Sequence, residues 1–239
     1  MARLALITGG SRGLGAAFVA QLQAEGWEVV EFSRAAPHAC SVKVDLGALA
    51  ASGPVLDAKL AELAARDWDE VLAVLNAATL APIGPTARKP PAEVLGNLDL
   101  NLKAPVLFAA LFVKHFQRHA ARKLLANISS GAALKGYAGW SLYCAAKAGL
   151  ENHVRSIALE QAGEAHPVLA VNVDPGVMDT EMQAAIRATG IDDFPAVERF
   201  HGLQAAGMLR APETVAVIIL GELARVTEGG GRIDTATHR

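Results

Sequence analysis

One feature constrains this chain more than any other: short, almost continuously aliphatic runs alternate with longer Ala/Leu-rich stretches of helical period. Leu4–Thr8, Val29–Ser33, Val42–Val44, Val71–Asn76, Leu124–Ser129 and Val168–Val173 have strand character. Their apolar residues do not alternate with polar ones, which is what strands covered on both faces require. Between them, Gly13–Glu25, Leu49–Arg66, Leu98–His119, Ser141–Gln161 and Pro212–Arg225 read as helices. Pro212 suits a first helical turn, where its missing N–H would have had no partner anyway. Strand–helix alternation repeated this often predicts a parallel sheet wrapped by right-handed crossovers.

The expected fold is therefore α/β: a Rossmann-like, doubly wound parallel sheet in one domain spanning residues 1–239. A chain of 239 residues, 52% of them hydrophobic, buries a full core without metals or disulfides. The formal charge of −2 argues against a nucleic-acid or anionic-membrane surface. Cys40 and Cys144 cannot build a disulfide framework. No uninterrupted apolar run reaches the ~20 residues that span a bilayer, and no leader pattern opens the chain. A reducing cytoplasm is the expected setting.

In such sheets ligands bind beyond the carboxyl ends of the strands. The first strand runs into Thr8-Gly9-Gly10-Ser11-Arg12-Gly13-Leu14-Gly15 and then a helix. Gly9 permits a sharp turn, while Gly13 and Gly15 remove β-carbons that would keep a pyrophosphate or the helix at a distance. The helix N-terminus offers free N–H groups and about half a positive charge. Strand, turn and amphipathic helix together point to a dinucleotide site rather than an ordinary glycine-rich turn.

The second strand ends in Ser33-Arg34, where NAD sites usually place an acid against the ribose 2′-hydroxyl. Arg12, Arg34 and a hydroxyl without a carboxylate suit a 2′-phosphate, so NADP(H) is the expected cofactor. The alternative is that both arginines are solvated surface residues.

Tyr143 has Lys147 one helical turn later. Residues at i and i+4 share a helix face, so the ammonium can lower the phenol's pKa from ~10 toward the range of acid–base catalysis. Tyr137 has only Ser141 at that offset and gains no such help. Ser129 and Ser130 end the fifth strand on the ligand side, where a hydroxyl donates to a carbonyl oxygen as negative charge develops. Strand-end turn chemistry is the other reading of these serines. Asn101 interrupts a long apolar helix; either it holds a structural water or it caps an irregularity.

Together these pieces resemble the short-chain dehydrogenase/reductase family over essentially the whole chain. The resemblance rests on Thr8-Gly9-x-x-x-Gly13-x-Gly15, Asn76, Asn101, Ser130, Tyr143-x-x-x-Lys147 and Asp174-Pro175-Gly176, in the family's order. It implies that Tyr143 donates the proton, that Lys147 tunes it and binds the nicotinamide ribose, and that Ser130 polarises the carbonyl. Asn101 would hold a water that relays protons. Asp45, in Val44-Asp45-Leu46, would contact adenine, and Thr180 with the Val177 backbone after Pro175-Gly176 would fix the carboxamide. The chain departs from the family at Asn76-Ala77-Ala78, where a glycine is usual in place of Ala78. That methyl puts the local contact to the cofactor ribose in doubt.

Residues 129–143 and 175–187 resemble the benzil reductase and sepiapterin reductase branch, which implies NADPH-dependent reduction of a ketone beside a second carbonyl or an aromatic ring. A 3-oxoacyl-carrier-protein reductase, another short-chain alcohol dehydrogenase and a non-catalytic NADPH-binding regulator are the alternatives. By the same resemblance residues 177–211 form a mobile lid, and Met182 with Leu134, Tyr137 and Trp140 lines an adaptable apolar substrate wall. Asp234 is the candidate anchor for a pterin, or else a turn acid after the last strand. His115 and His119 share a helix face but lack a third ligand, so no metal is expected. Cys144 reads as packing. The helices Leu98–His119 and Ser141–Gln161 resemble the pair through which family members associate, so the expected partners are a small-molecule ketone and a second copy of the chain, as a homodimer or homotetramer.

Overall fold

A computed structural model describes residues 1–235. In chain order the elements are β1 (Arg3–Thr8), α1 (Gly13–Ala24), β2 (Glu28–Ser33), β3 (Ser41–Lys43), α2 (Leu49–Ala64), β4 (Glu70–Leu75), α3 (Pro91–Leu98), α4 (Ala104–Phe116), β5 (Arg122–Ile128), α5 (Ser141–Gln161), β6 (Val168–Asp174), α6 (Glu181–Arg187), α7 (Val197–Ala205), α8 (Pro212–Ala224) and β7 (Arg232–Asp234). The strands form one sheet in the order β3-β2-β1-β4-β5-β6-β7, and every neighbouring pair is parallel. This is the doubly wound α/β architecture expected from the alternation.

Both faces of the sheet are covered, which explains why its strands are aliphatic throughout. On one face Leu4, Leu6, Phe32 and Val71 pack against Leu56, Leu60, Phe108 and Phe112 of α2 and α4. On the other, Ala5, Ile7, Val74 and Val171 meet Phe18 of α1 and Ile219 of α8. Each such fully buried side chain contributes roughly 1.5–3 kcal/mol of transfer free energy. A smaller cluster of Trp140, Phe194, Val197 and Phe200 lies above the carboxyl ends of the strands.

Two features depart from the sequence reading. The helix expected over 98–119 begins at Pro91 and ends at Phe116, and it is broken by a π-turn at Asp99–Lys103. The whole run Pro91–Phe116 is long and apolar enough to cross a bilayer by length and composition, although charged and polar residues interrupt it. Here its phenylalanines fill the core, and Lys103 is paired with Asp99. The second departure is β7, a three-residue edge strand paired with β6. It is too short to carry a periodic signal.

Because β1 lies between β2 and β4, the chain runs outward in opposite directions from the β1–β4 junction. The crevice of a doubly wound sheet opens at this switch point. Thr8 Oγ1 accepts from the backbone N–H groups of Asn76 (2.9 Å) and Ala77 (3.2 Å) there. Asn76 Nδ2 donates to the Thr8 and Gly9 carbonyls at 3.2 and 3.0 Å.

Candidate active site

A cleft of about 1610 Å3 opens at that switch point. It exceeds the roughly 300–1,000 Å3 of an ordinary small-molecule pocket, and so has room for a dinucleotide and a substrate together.

The glycine turn forms its floor. Gly9 adopts φ +71°, and a β-carbon on Gly15 would collide with the Gly9 carbonyl oxygen. Extended Arg12 precedes α1 and supplies no side-chain cap, so the first N–H groups of the helix are left for a ligand. Gly9, Ser11, Arg12, Gly13, Leu14 and Gly15 all line the cleft. A residue missed in the sequence lies beneath them. Glu31, fully buried in β2, accepts from Gly10 N at 2.9 Å and from Ser41 Oγ at 2.6 Å, which ties the turn to β2 and β3. A lone carboxylate inside an aliphatic strand was the available signal. Ala78 also lines the cleft and has no positive φ, so the methyl in place of the family's glycine introduces no backbone strain.

At the β2 end, Ser33, Arg34, Asp45 and Leu46 line the cleft. Ser33 Oγ accepts from Ala36 N (3.1 Å) and Asp45 Oδ1 from Gly47 N (3.0 Å). Of the two arginines expected on one phosphate, each has a different setting here. The Arg12 guanidinium is ion-paired with Glu181, the first residue of α6, across the mouth of the cleft. Among the described residues Arg34 has no such carboxylate partner.

Tyr143 and Lys147 are brought together on the buried face of α5 at the carboxyl ends of β5 and β6. Ser130 lines the cleft with Tyr143, close enough for its hydroxyl to favour the charged form of the phenol, and its Oγ accepts from Ala132 N at 3.1 Å. Ser129 faces inward instead and donates to Glu151 Oε1 at 2.6 Å. The two adjacent serines thus take the two alternative roles, Ser130 at the cleft and Ser129 in the scaffold.

The expected lowering of the phenol's pKa is not what these surroundings produce. Burial pushes the Tyr143 phenol up, and the neighbouring Ser130 hydroxyl only partly opposes it. The Lys147 ammonium is itself destabilised by burial, down to about 8, and donates to the Ile128 carbonyl at 2.6 Å. Desolvation therefore outweighs helical proximity.

Asn101 sits at the π-turn. It accepts from Thr79 N (2.8 Å) and donates to Thr79 O (2.7 Å) and Asn97 Oδ1 (3.0 Å). Of the two readings left open, these bonds match the one in which the side chain supports an irregular turn. They fasten it to the loop after β4, and π-turns often mark functional sites.

A buried ionic network lies behind Ser130. Arg232 of β7 is paired with Glu151, and its Nη2 reaches Asp174 Oδ2 at 2.7 Å and the Ser130 carbonyl at 3.4 Å. Burial raises the pKa of Asp174, against a hydrogen bond from Gly176 N. The network joins the end of β6, Ser130 and the last strand. A sequence with no recognised β7 gives no reason to connect these residues.

Pro175, Gly176, Val177 and Thr180 line the cleft, and Thr180 Oγ1 accepts from Gln183 N at 3.3 Å to cap α6. On the substrate side, Tyr137, Trp140 and Met182 line an apolar wall with Leu80, Ile186 and Phe200. The Trp140 ring stacks on Phe194 at 4.4 Å, which fastens the segment 177–211 to the body of the protein. Two expected substrate contacts lie outside this lining. Leu134 is two-thirds exposed beyond the cleft. Asp234 ends β7 near Asp174 and Arg232, as a turn acid would. His115 bonds Asp57 at 2.7 Å.

Comparison with known proteins agrees with this geometry. Residues 3–190 match the family model described as short chain dehydrogenase. The chain is 38% identical over 232 residues to a benzil reductase ((S)-benzoin forming) of Bacillus subtilis, covering 95% of this chain and 96% of the other. It is 30% identical to mouse (Mus musculus) sepiapterin reductase, covering 96% and 95%. The crystal structure of the KRED1-Pglu enzyme superposes with a TM-score of 0.82 at 26% identity, covering 97% of this chain and all of that one.

Proposed function

The chain belongs to the short-chain dehydrogenase/reductase family and is an oxidoreductase acting on carbonyl and hydroxyl groups with a nicotinamide cofactor; from that premise we propose that it is an NADPH-dependent reductase of aromatic or vicinal dicarbonyl compounds of the benzil type. The observation that carries this reading is the placement of Ser130, Tyr143 and Lys147 together in the lining of a cleft walled by Tyr137, Trp140 and Phe200. Similarity to the Bacillus benzil reductase supports the substrate class.

The residues present fit the cofactor. The Gly9–Gly15 turn and the uncapped start of α1 take the pyrophosphate, and Ser33 with Arg34 takes a 2′-phosphate. Asp45 and Leu46 flank the adenine, Asn76 and Lys147 the nicotinamide ribose, and Val177 and Thr180 the carboxamide. NADPH supplies the hydride.

The chain's own part is acid catalysis. Ser130 Oγ and Tyr143 Oη donate to the substrate oxygen, and Tyr143 gives up its proton as negative charge develops there. A phenol pushed up by burial stays protonated at neutral pH, which suits a donor and so the reductive direction. Asn101 holds the turn beside this site. Trp140, Tyr137 and Met182 present a flat wall to an aryl ketone.

The test is NADPH oxidation by the purified protein with benzil, a 3-oxoacyl thioester and sepiapterin in parallel. Preferential turnover of benzil supports the assignment; turnover of the thioester alone overturns it. By the resemblance of α4 and α5 to the family's association helices, the protein is a cytoplasmic homodimer or homotetramer, which light scattering tests.

A further inference from the structure

The cleft wall around Tyr137, Trp140, Met182, Ile186 and Phe200 is apolar, and a cation stands beside it. Arg199, on α7, lines the cleft beside Phe200 and Leu203. Its Nη1 donates to Tyr137 Oη at 3.4 Å, and its guanidinium lies 5.7 Å from the centre of the Phe200 ring. Two nearby carboxylates are engaged elsewhere, Glu181 of the cleft lining by Arg12 and Asp193 by Arg88 at 2.8 Å. Among the described residues Arg199 is ion-paired with none.

The spacing from the proton donor is set by rings. Trp140 lies 6.1 Å from the Tyr143 ring and Tyr137 lies 5.1 Å from Trp140, centre to centre. A ketone seated on Tyr143 with its aryl group along Trp140 therefore extends its far substituent toward the Tyr137 hydroxyl and Arg199. The phenol accepts from Arg199 and keeps its own O–H to donate, so the pair offers two donors to one acceptor group. Arg199 is exposed, and a guanidinium, less strongly hydrated than an ammonium, presents a planar fork suited to a carboxylate.

We propose that Arg199 and Tyr137 form an anion-binding subsite, so that the preferred substrate is an aryl dicarbonyl carrying a carboxylate on the ring remote from the reduced ketone. This rests on the dicarbonyl reductase reading above and narrows its substrate class. The test compares 4-carboxybenzil with its carboxamide, which has the same shape without the charge. The wild-type enzyme favours the carboxylate at least about tenfold in kcat/KM, mostly through KM, as a charge-assisted hydrogen bond provides. In Arg199→Leu that preference falls to about one; Arg199→Lys restores part of it, and Tyr137→Phe loses a few-fold. A wild-type ratio near one, or a preference that survives in Arg199→Leu, overturns the subsite.

Calorimetric binding of 4-benzoylbenzoate and its carboxamide to the protein with NADP+ asks the same question without turnover. If neither dicarbonyl is reduced, the proposed function fails. The subsite is then judged on binding alone, where equal affinities for acid and amide refute it.

Discussion

Lys147 Nζ lies 5.6 Å from the centre of the Tyr143 ring and donates a hydrogen bond to the Ile128 carbonyl. The two side chains are therefore neighbours that share a dry environment, each pushed by it toward its neutral form. Burial raises the phenol and lowers the ammonium.

That arrangement predicts a cost in stability. Lys147 falls from 10.5 in the free residue to about 8 when folded, so below pH 8 both states hold the proton and the buried charge is at its most expensive. Between pH 8 and 10.5 the unfolded chain binds the proton that the folded protein has released, and stability rises with pH. Lys147→Met is expected to gain up to about 3 kcal/mol at pH 7, an advantage that shrinks toward pH 10.5. Urea unfolding at several pH values measures this, and a variant less stable than wild type at pH 7 would show that the ammonium is held favourably.

The same group sets a kinetic limb. The kcat/KM for NADPH reports the free enzyme and should fall as pH rises through about 8, when Lys147 loses its charge. In Lys147→Arg, which stays charged, that limb should vanish from the accessible range. A limb at the same pH in both proteins would assign it elsewhere.

Cofactor preference offers a third test. Arg12 and Glu181 are each about 70% exposed, so their ion pair is worth under about 1 kcal/mol and is readily opened. Glu181→Gln should free Arg12 and tighten NADPH binding a few-fold, with NADH little changed. Arg34→Leu should weaken NADPH at least about tenfold more than NADH. Fluorescence titration reads both, and wild-type protein that binds NADH as tightly as NADPH would remove the 2′-phosphate assignment.

The Glu151–Arg232 pair predicts a pattern of stabilities. Glu151 is 1% exposed, so Glu151→Leu takes away the partner of the Ser129 hydroxyl and of Arg155 and leaves Arg232 with Asp174 alone, and should cost about 3–5 kcal/mol. Replacing both charges, as Glu151→Leu with Arg232→Met, should recover a large part of the loss. Equal losses in the single and double variants by chemical denaturation would mean that the pair does not act as a unit.

The fold was legible because strands buried on both faces must be aliphatic, and Leu4–Thr8 and Val71–Asn76 display that directly. The Gly9–Gly15 turn and the Tyr143–Lys147 spacing were legible for the same reason, since each needs particular residue types at a fixed offset. What escaped depends on distance in sequence. Arg12 meets Glu181 169 residues away, and Arg232 meets Asp174 58 away, so neither pair has a local signature. The direction of the Tyr143 shift also escaped, because helical spacing shows which groups are near but not how much water is left around them. Asp234 and Leu134 were placed by order along the chain, and the end of β7 and an exposed turn carry them away from the cavity lining.

Proton donation by Tyr143 is tested most directly by Tyr143→Phe, which keeps the ring and its packing against Trp140 and removes only the hydroxyl. With saturating NADPH and benzil, kcat is expected to fall about 10²–10⁴-fold while NADPH binds within a few-fold of wild type. Turnover of benzil by that variant at the wild-type rate would contradict the account.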